Sequence, residues 1–138
     1  MGKLNVDMGK ILATQGGKNE ILVIDDSSIA RKTVAQNLKY YGFDVMEADS
    51  GIGGLKTYLS KQRQIALVIL SLTLSDVPGV AILAKLREKD PDAKVVVITE
   101  STSTEFKQAD EGEVAGVLRK PISTDRLLKV IHLALAEG

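Results

Sequence analysis

The chain has 138 residues, with lysine plus arginine equal to aspartate plus glutamate at 18 each. That length suits one domain around one core, and the balanced charge gives no argument for nucleic acid or an anionic membrane as partner. With no cysteine and one histidine, disulfides, thiol catalysis and Cys- or His-rich metal sites are excluded.

Residues 1–19 stand apart, with Gly2, Gly9, Gly16 and Gly17 among scattered apolar residues. They read as a tail or linker, with room for a short helix around Val6 to Ala13. No apolar run approaches the about 20 residues that span a bilayer. The N-terminus also lacks the apolar core of a secretory signal. A cytoplasmic protein is the expectation.

The domain is expected over residues 20–138. Ile21-Leu22-Val23-Ile24 is a fully apolar strand, followed by Asp25-Asp26 and then by Ser27 or Ser28 as helix cap. The helix carries Ala30, Val34 and Leu38 inward and ends at Gly42. Phe43 to Ala48 alternates as an edge-side strand, and Ser50 to Leu59 follows as a helix with Leu55 and Leu59 inward. Gly53 and Gly54 weaken that helix by about 1 kcal/mol each relative to Ala.

Ala66 to Leu70 is the central apolar run, closed by Ser71 and a Ser/Asp/Pro/Gly cluster. So short a run, rich in Val and Ile, is a strand buried on both faces, the habit of parallel sheets between helices. Val80 to Glu88 is helical, with Ile82, Leu83 and Leu86 on one face, and Asp90-Pro91-Asp92 stops it. Val95 to Ile98 is a strand ending at Thr99. A polar stretch over residues 100–113 holds one short helix around Thr104 to Asp110, anchored by Phe106. Gly116-Val117-Leu118 is the last strand, before Arg119-Lys120-Pro121. Ser123 or Thr124 caps the final helix, which buries Leu127, Ile131 and Leu135.

Five alternating strand–helix units give an α/β fold: three layers, a doubly wound five-stranded parallel sheet with helices on both faces. Chemistry in such sheets gathers beyond the carboxyl ends of the strands. Asp25 and Asp26 sit there after the first strand, Ser71 after the third, Thr99 after the fourth and Lys120 after the fifth. Alone, each residue is ordinary capping or turn chemistry. Together they form a place for a divalent cation and an oxyanion.

On Asp25-Asp26 with Ser27 and Arg31, Gly42 to Val45, Ala66 to Gly79, Ile98-Thr99 and Lys120-Pro121, the chain resembles the receiver domain of two-component response regulators. The likeness covers Glu20 to about Ala136. It implies strand order 2-1-3-4-5, the flavodoxin-like arrangement. It also implies phosphorelay signalling, with a histidine kinase, phosphotransfer protein or output protein as partner and no direct nucleic acid or membrane contact. The last two strand–helix units would be the docking face, toward a partner or a second copy in a homodimer. In this family an aspartate after the third strand accepts phosphate, the acidic pair binds Mg²⁺, and the Thr and Lys hold the phosphoryl group.

The chain departs from that pattern at several positions. Ser71 stands at the phosphoacceptor position, Ser75 replaces a proline, and Val117 replaces the aromatic switch residue. The interval from Thr99 to Lys120 is about one residue short, with Glu111-Gly112-Glu113 inside it. An alcohol, unlike a carboxylate, needs a base before it attacks phosphorus. Asp26 is the candidate base. The resemblance implies that Mg²⁺ loses one carboxylate oxygen and is left with Asp25 or Asp26, the backbone carbonyl near Thr73 and water, so no metal is required and binding is possible but weakened.

The serine also removes one of three mutually repelling carboxylates, worth up to about 4 kcal/mol for a like-charge pair at ~4 Å and an effective dielectric near 20. Asp76 as substitute acceptor is disfavoured, because a loop side chain there is expected to face solvent. His132 reads as a surface or interface residue, with Val130 and Leu133 beside it either forming an apolar patch or partly buried. The expected function is therefore a non-catalytic, pseudo-receiver-like module acting through protein–protein interaction. The competing readings are a working phosphoacceptor in which Ser71 is an engineered or exceptional change, and a small flavodoxin-like enzyme or flavin binder. No Gly-rich phosphate loop follows the first strand, which counts against the last.

Overall fold

Seven consecutive residues, Ile65–Ser71, are buried at every position and form the central strand. The computed structural model describes residues 15–100 and 114–136. The elements run β1 (Glu20–Ile24), α1 (Ser28–Tyr40), β2 (Asp44–Ala48), α2 (Gly51–Lys61), β3 (Ile65–Ser71), α3 (Gly79–Lys89), β4 (Val95–Thr99), β5 (Gly116–Arg119) and α4 (Thr124–Ala136). The strands pair in parallel in the order β2-β1-β3-β4-β5. The doubly wound parallel sheet is the one expected from the alternation of runs, and its flavodoxin-like order is the one the receiver resemblance implies. The expected short helix near Phe106 lies outside the described residues.

Successive strand residues point to opposite faces, so one sheet serves two cores. Ile21, Val23, Leu67, Ile69, Val96 and Ile98 pack with Val34 and Leu38 of α1 and Leu127 and Ile131 of α4. Leu22, Ile24, Val68, Leu70, Val95 and Val97 pack with Tyr58 of α2 and Ile82 and Leu86 of α3. The edge strand β2 has no fully buried position, which fits its single neighbour, β1.

Two helices sit differently from their expected faces. On α1, Arg31 and Ala35 are buried with Val34 and Leu38, while Ala30 is only half-buried. On α2, Leu59 is 40 % exposed and Tyr58 is buried in its place. Tyr58 donates its hydroxyl to Asp90 Oδ2 at 2.6 Å, and Gln62 Nε2 donates to the same oxygen at 3.1 Å. Burial first, then the bond to Asp90, pushes the Tyr58 phenol well up. The pair ties the end of α2 to the end of α3, a register that counting apolar residues does not reveal.

The glycines of α2 also change meaning. A methyl group on Gly54 would lie 2.4 Å from Ile24 Cδ1, so the helix rests directly on β1. Overpacking costs about 1–3 kcal/mol, which outweighs the about 1 kcal/mol that alanine gains inside a helix. Gly54→Ala is therefore expected to lower the urea midpoint, and adding Ile24→Val, which removes Cδ1, to recover part of the loss. Equilibrium urea unfolding followed by circular dichroism checks both.

Candidate functional site

β1 delivers the acidic pair, and the two acids diverge. Asp25 is 2 % exposed. Its Oδ1 accepts the Ser27 N–H at 3.0 Å, and Lys120 Nζ stands 3.8 Å from Oδ2, an ion pair beyond hydrogen-bond length. Burial pushes the Asp25 carboxyl up; the Ser27 amide and Lys120 pull against it, while Asp26 adds to the rise. Asp26 turns the other way. Its Oδ2 accepts both the Ser75 N–H, at 2.7 Å, and the Ser75 hydroxyl.

Ser71 is the last residue of β3 and is 1 % exposed. Among the described residues its hydroxyl bonds only to Thr73, donating to the carbonyl and accepting from the amide, both at 3.3 Å. The candidate base, Asp26, is thus held by Ser75 and forms no bond to Ser71. Thr99, 1 % exposed, ends β4 and donates its hydroxyl to the Glu100 carbonyl at 3.4 Å. The Lys120 amide closes onto the Thr99 carbonyl at 3.0 Å, which sets Lys120 beside the acids. Its ammonium also pairs with Glu100 at 3.4 Å. Val117 is half-buried against the α2/α3 core, and β5 carries no ring that could swing.

Asp25, Asp26, Ser71, Thr99 and Lys120 therefore share one edge of the sheet. A cavity of about 460 Å³ opens beside Asp25 and Lys120, lined by Val34 and Asn37 of α1 and by Ile122 and Leu127. His132 is half-buried, with Nδ1 lacking a hydrogen-bond partner among the described residues, and Leu133 is 59 % exposed. Val130 leaves the expected patch, because it packs on the core over Gly116.

Three residues matter more than the sequence reading allowed. Asp76 is exposed, as expected of a loop side chain, yet it accepts the Gly51 N–H at 3.0 Å and the Ile52 N–H at 2.9 Å. Those two amides, ahead of any other bond, hold its carboxyl below the usual range. The available signal was a first turn of α2 with no acid of its own, which leaves helix amides in need of an acceptor. Ser75 is the partner of Asp26. Arg31 donates to the Asp25 carbonyl at 2.8 Å and to Glu47 at 2.9 Å. Burial works against Glu47, but the Arg31 bond and the Lys32 charge hold its carboxyl down.

A parallel sheet in this order, with acids, hydroxyls and one lysine at its carboxyl edge, is the architecture of a phosphoryl-receiving signalling module. The chain belongs to the response regulator receiver domain family, whose model matches residues 21–132. It is 30 % identical over 122 residues to the chemotaxis protein CheY of Treponema pallidum, covering 87 % of this chain and 85 % of that one. It is 32 % identical over 114 residues to a cyclic di-GMP phosphodiesterase of Thermotoga maritima, covering 81 % of this chain but only 30 % of that protein's length. Among solved structures, a response regulator receiver domain protein from Clostridium thermocellum superposes with a TM-score of 0.78 at 26 % identity, covering 85 % of this chain and 94 % of that one. The receiver domain of NtrX from Brucella abortus gives 0.77 at 28 %, covering 86 % and 99 %.

Receiver domains typically bind Mg²⁺ at the phosphorylation site. The donors here fit a resident ion poorly. Asp25 and Asp26 are already engaged, Thr73 accepts from Ser71, and among the described residues no group of three or more His, Cys, Asp or Glu could hold a metal.

The two shifted aspartates predict opposite pH behaviour. A carboxyl whose native pKa is raised loses stability as pH rises through that native value; one whose native pKa is lowered loses it as pH falls through its own. Asp25→Asn is therefore expected to raise the melting temperature at pH 7, with the gain shrinking as pH falls toward the ordinary value of 3.8. Asp76→Ala is expected to lower it at pH 7, with the loss beginning to shrink as pH falls through that same ordinary value and disappearing only below the lowered native one. Thermal melts from pH 3 to pH 8 check both.

Proposed function

We propose that this receiver domain does not take up phosphate at the usual position and acts in two-component signalling by docking to other proteins. The observation that carries the reading is Ser71. Its hydroxyl is uncharged, buried, and turned onto the Thr73 backbone, with no base bonded to it. An alcohol so placed is a poor nucleophile. A phosphoserine ester, once formed, would also resist the hydrolysis that resets an acyl phosphate. Val117 adds a second reason, because it offers no aromatic ring to report the state of the pocket. Mg²⁺ is not required, and its binding is weakened by the missing third carboxylate.

The partner is a signalling protein: a histidine kinase, a phosphotransfer protein or an output protein. It docks on the face built by β4, β5 and α4, where Leu133 is 59 % exposed; a homodimer would use the same face. The domain is not itself an enzyme, and it works in the cytoplasm. Among the described residues no helix is long and apolar enough to cross a membrane.

Incubation with acetyl phosphate and MgCl₂ is expected to leave the intact mass unchanged. A gain of one phosphate that disappears in Ser71→Ala or in Asp76→Ala would overturn the reading.

A further inference from the structure

We propose that Ser75 closes the acidic pocket against divalent cations by fastening the β3–α3 loop to Asp26, just after β1. Ser75 gives Asp26 Oδ2 two donors from one residue, its amide at 2.7 Å and its hydroxyl. A charged acceptor makes both of them stronger than neutral hydrogen bonds. The neighbouring groups also have partners of their own, more loosely held. The Ser71 hydroxyl donates to the Thr73 carbonyl, and Lys120 sits 3.8 Å from Asp25 Oδ2. One residue on, Asp76 ties the loop to the first two amides of α2.

A magnesium ion keeps several waters and binds through one or two carboxylates. To take Asp26 Oδ2 it would have to displace both Ser75 donors from that oxygen. The inference deepens the reading above, since it concerns the same pocket, but it fails separately. A protein that binds cation yet takes no phosphate would sink the Ser75 role and leave the loss of phosphoryl uptake standing.

The side chain sets a graded test. Alanine at position 75 removes the hydroxyl and keeps the amide; proline removes both; threonine keeps both. Mn²⁺ serves as the probe, because the free ion is counted by electron paramagnetic resonance. The full chain is expected to show no saturable binding up to 1 mM MnCl₂. Ser75→Ala and Ser75→Pro are expected to gain one site at least tenfold tighter than that limit, with Ser75→Pro the tighter, and Ser75→Thr to behave as the parent. Asp26→Asn added to Ser75→Ala should abolish the gained site. Should proline strain the loop, the alanine and threonine arms still decide. Saturable Mn²⁺ binding by the parent chain that Ser75→Ala leaves unchanged, or no gain in Ser75→Ala, overturns the proposal.

Discussion

A carboxylate withdrawn from water must find another partner, and this fold brings two of them to one sheet edge. Desolvation of an unpaired charge costs more than most single contacts return. Asp25, the deeper of the pair, meets the Ser27 amide and a lysine at 3.8 Å, yet its carboxyl is still pushed up. Asp26 escapes toward the rim and takes Ser75. The loop after β3, through Ser75, and Lys120, through its ion pair, both serve this pair. Ser71 relieves the same constraint by omission, since a third carboxylate would add a charge for which the pocket has only one lysine.

The fold was legible because the strands are uninterrupted apolar runs. Ile21–Ile24, Ala66–Leu70 and Val95–Ile98 leave little choice but a sheet covered on both sides, and the observed order agrees. Helix faces were harder to read. Tyr58 and Leu59 are adjacent, and hydropathy favours Leu59 for the core. The choice of Tyr58 is made by Asp90, 32 residues away, through a hydroxyl bond that no local pattern encodes. Gly54 was legible as a weak helix former and illegible as a spacer, because the methyl it lacks would strike Ile24 on another element.

The candidate site shows the same division. Strand ends predict which residues converge, so Asp25, Asp26, Ser71, Thr99 and Lys120 could be placed together. They do not predict which way each side chain turns. Asp26 was expected toward Ser71 and turns to Ser75. Asp76 faces solvent as expected, and from there it spans two amides of α2. Both bonds depend on unsatisfied donors, in the loop for Asp26 and at the start of α2 for Asp76, a condition visible only after the elements have packed.

At the opposite end of the sheet, Gln15 donates to the Leu135 carbonyl at 2.8 Å, and Lys94 reaches both residues at 3.3 and 3.4 Å. The point where the described chain enters the domain is thus bolted to the last turn of its final helix. Both attachment points lie at one pole, separated from the acidic edge by the length of a five-residue strand, about 16 Å. A neighbour tethered at either end and a visitor at the carboxyl edge would approach from opposite poles, so the sheet between them would be the shortest physical route for any influence passing from one to the other.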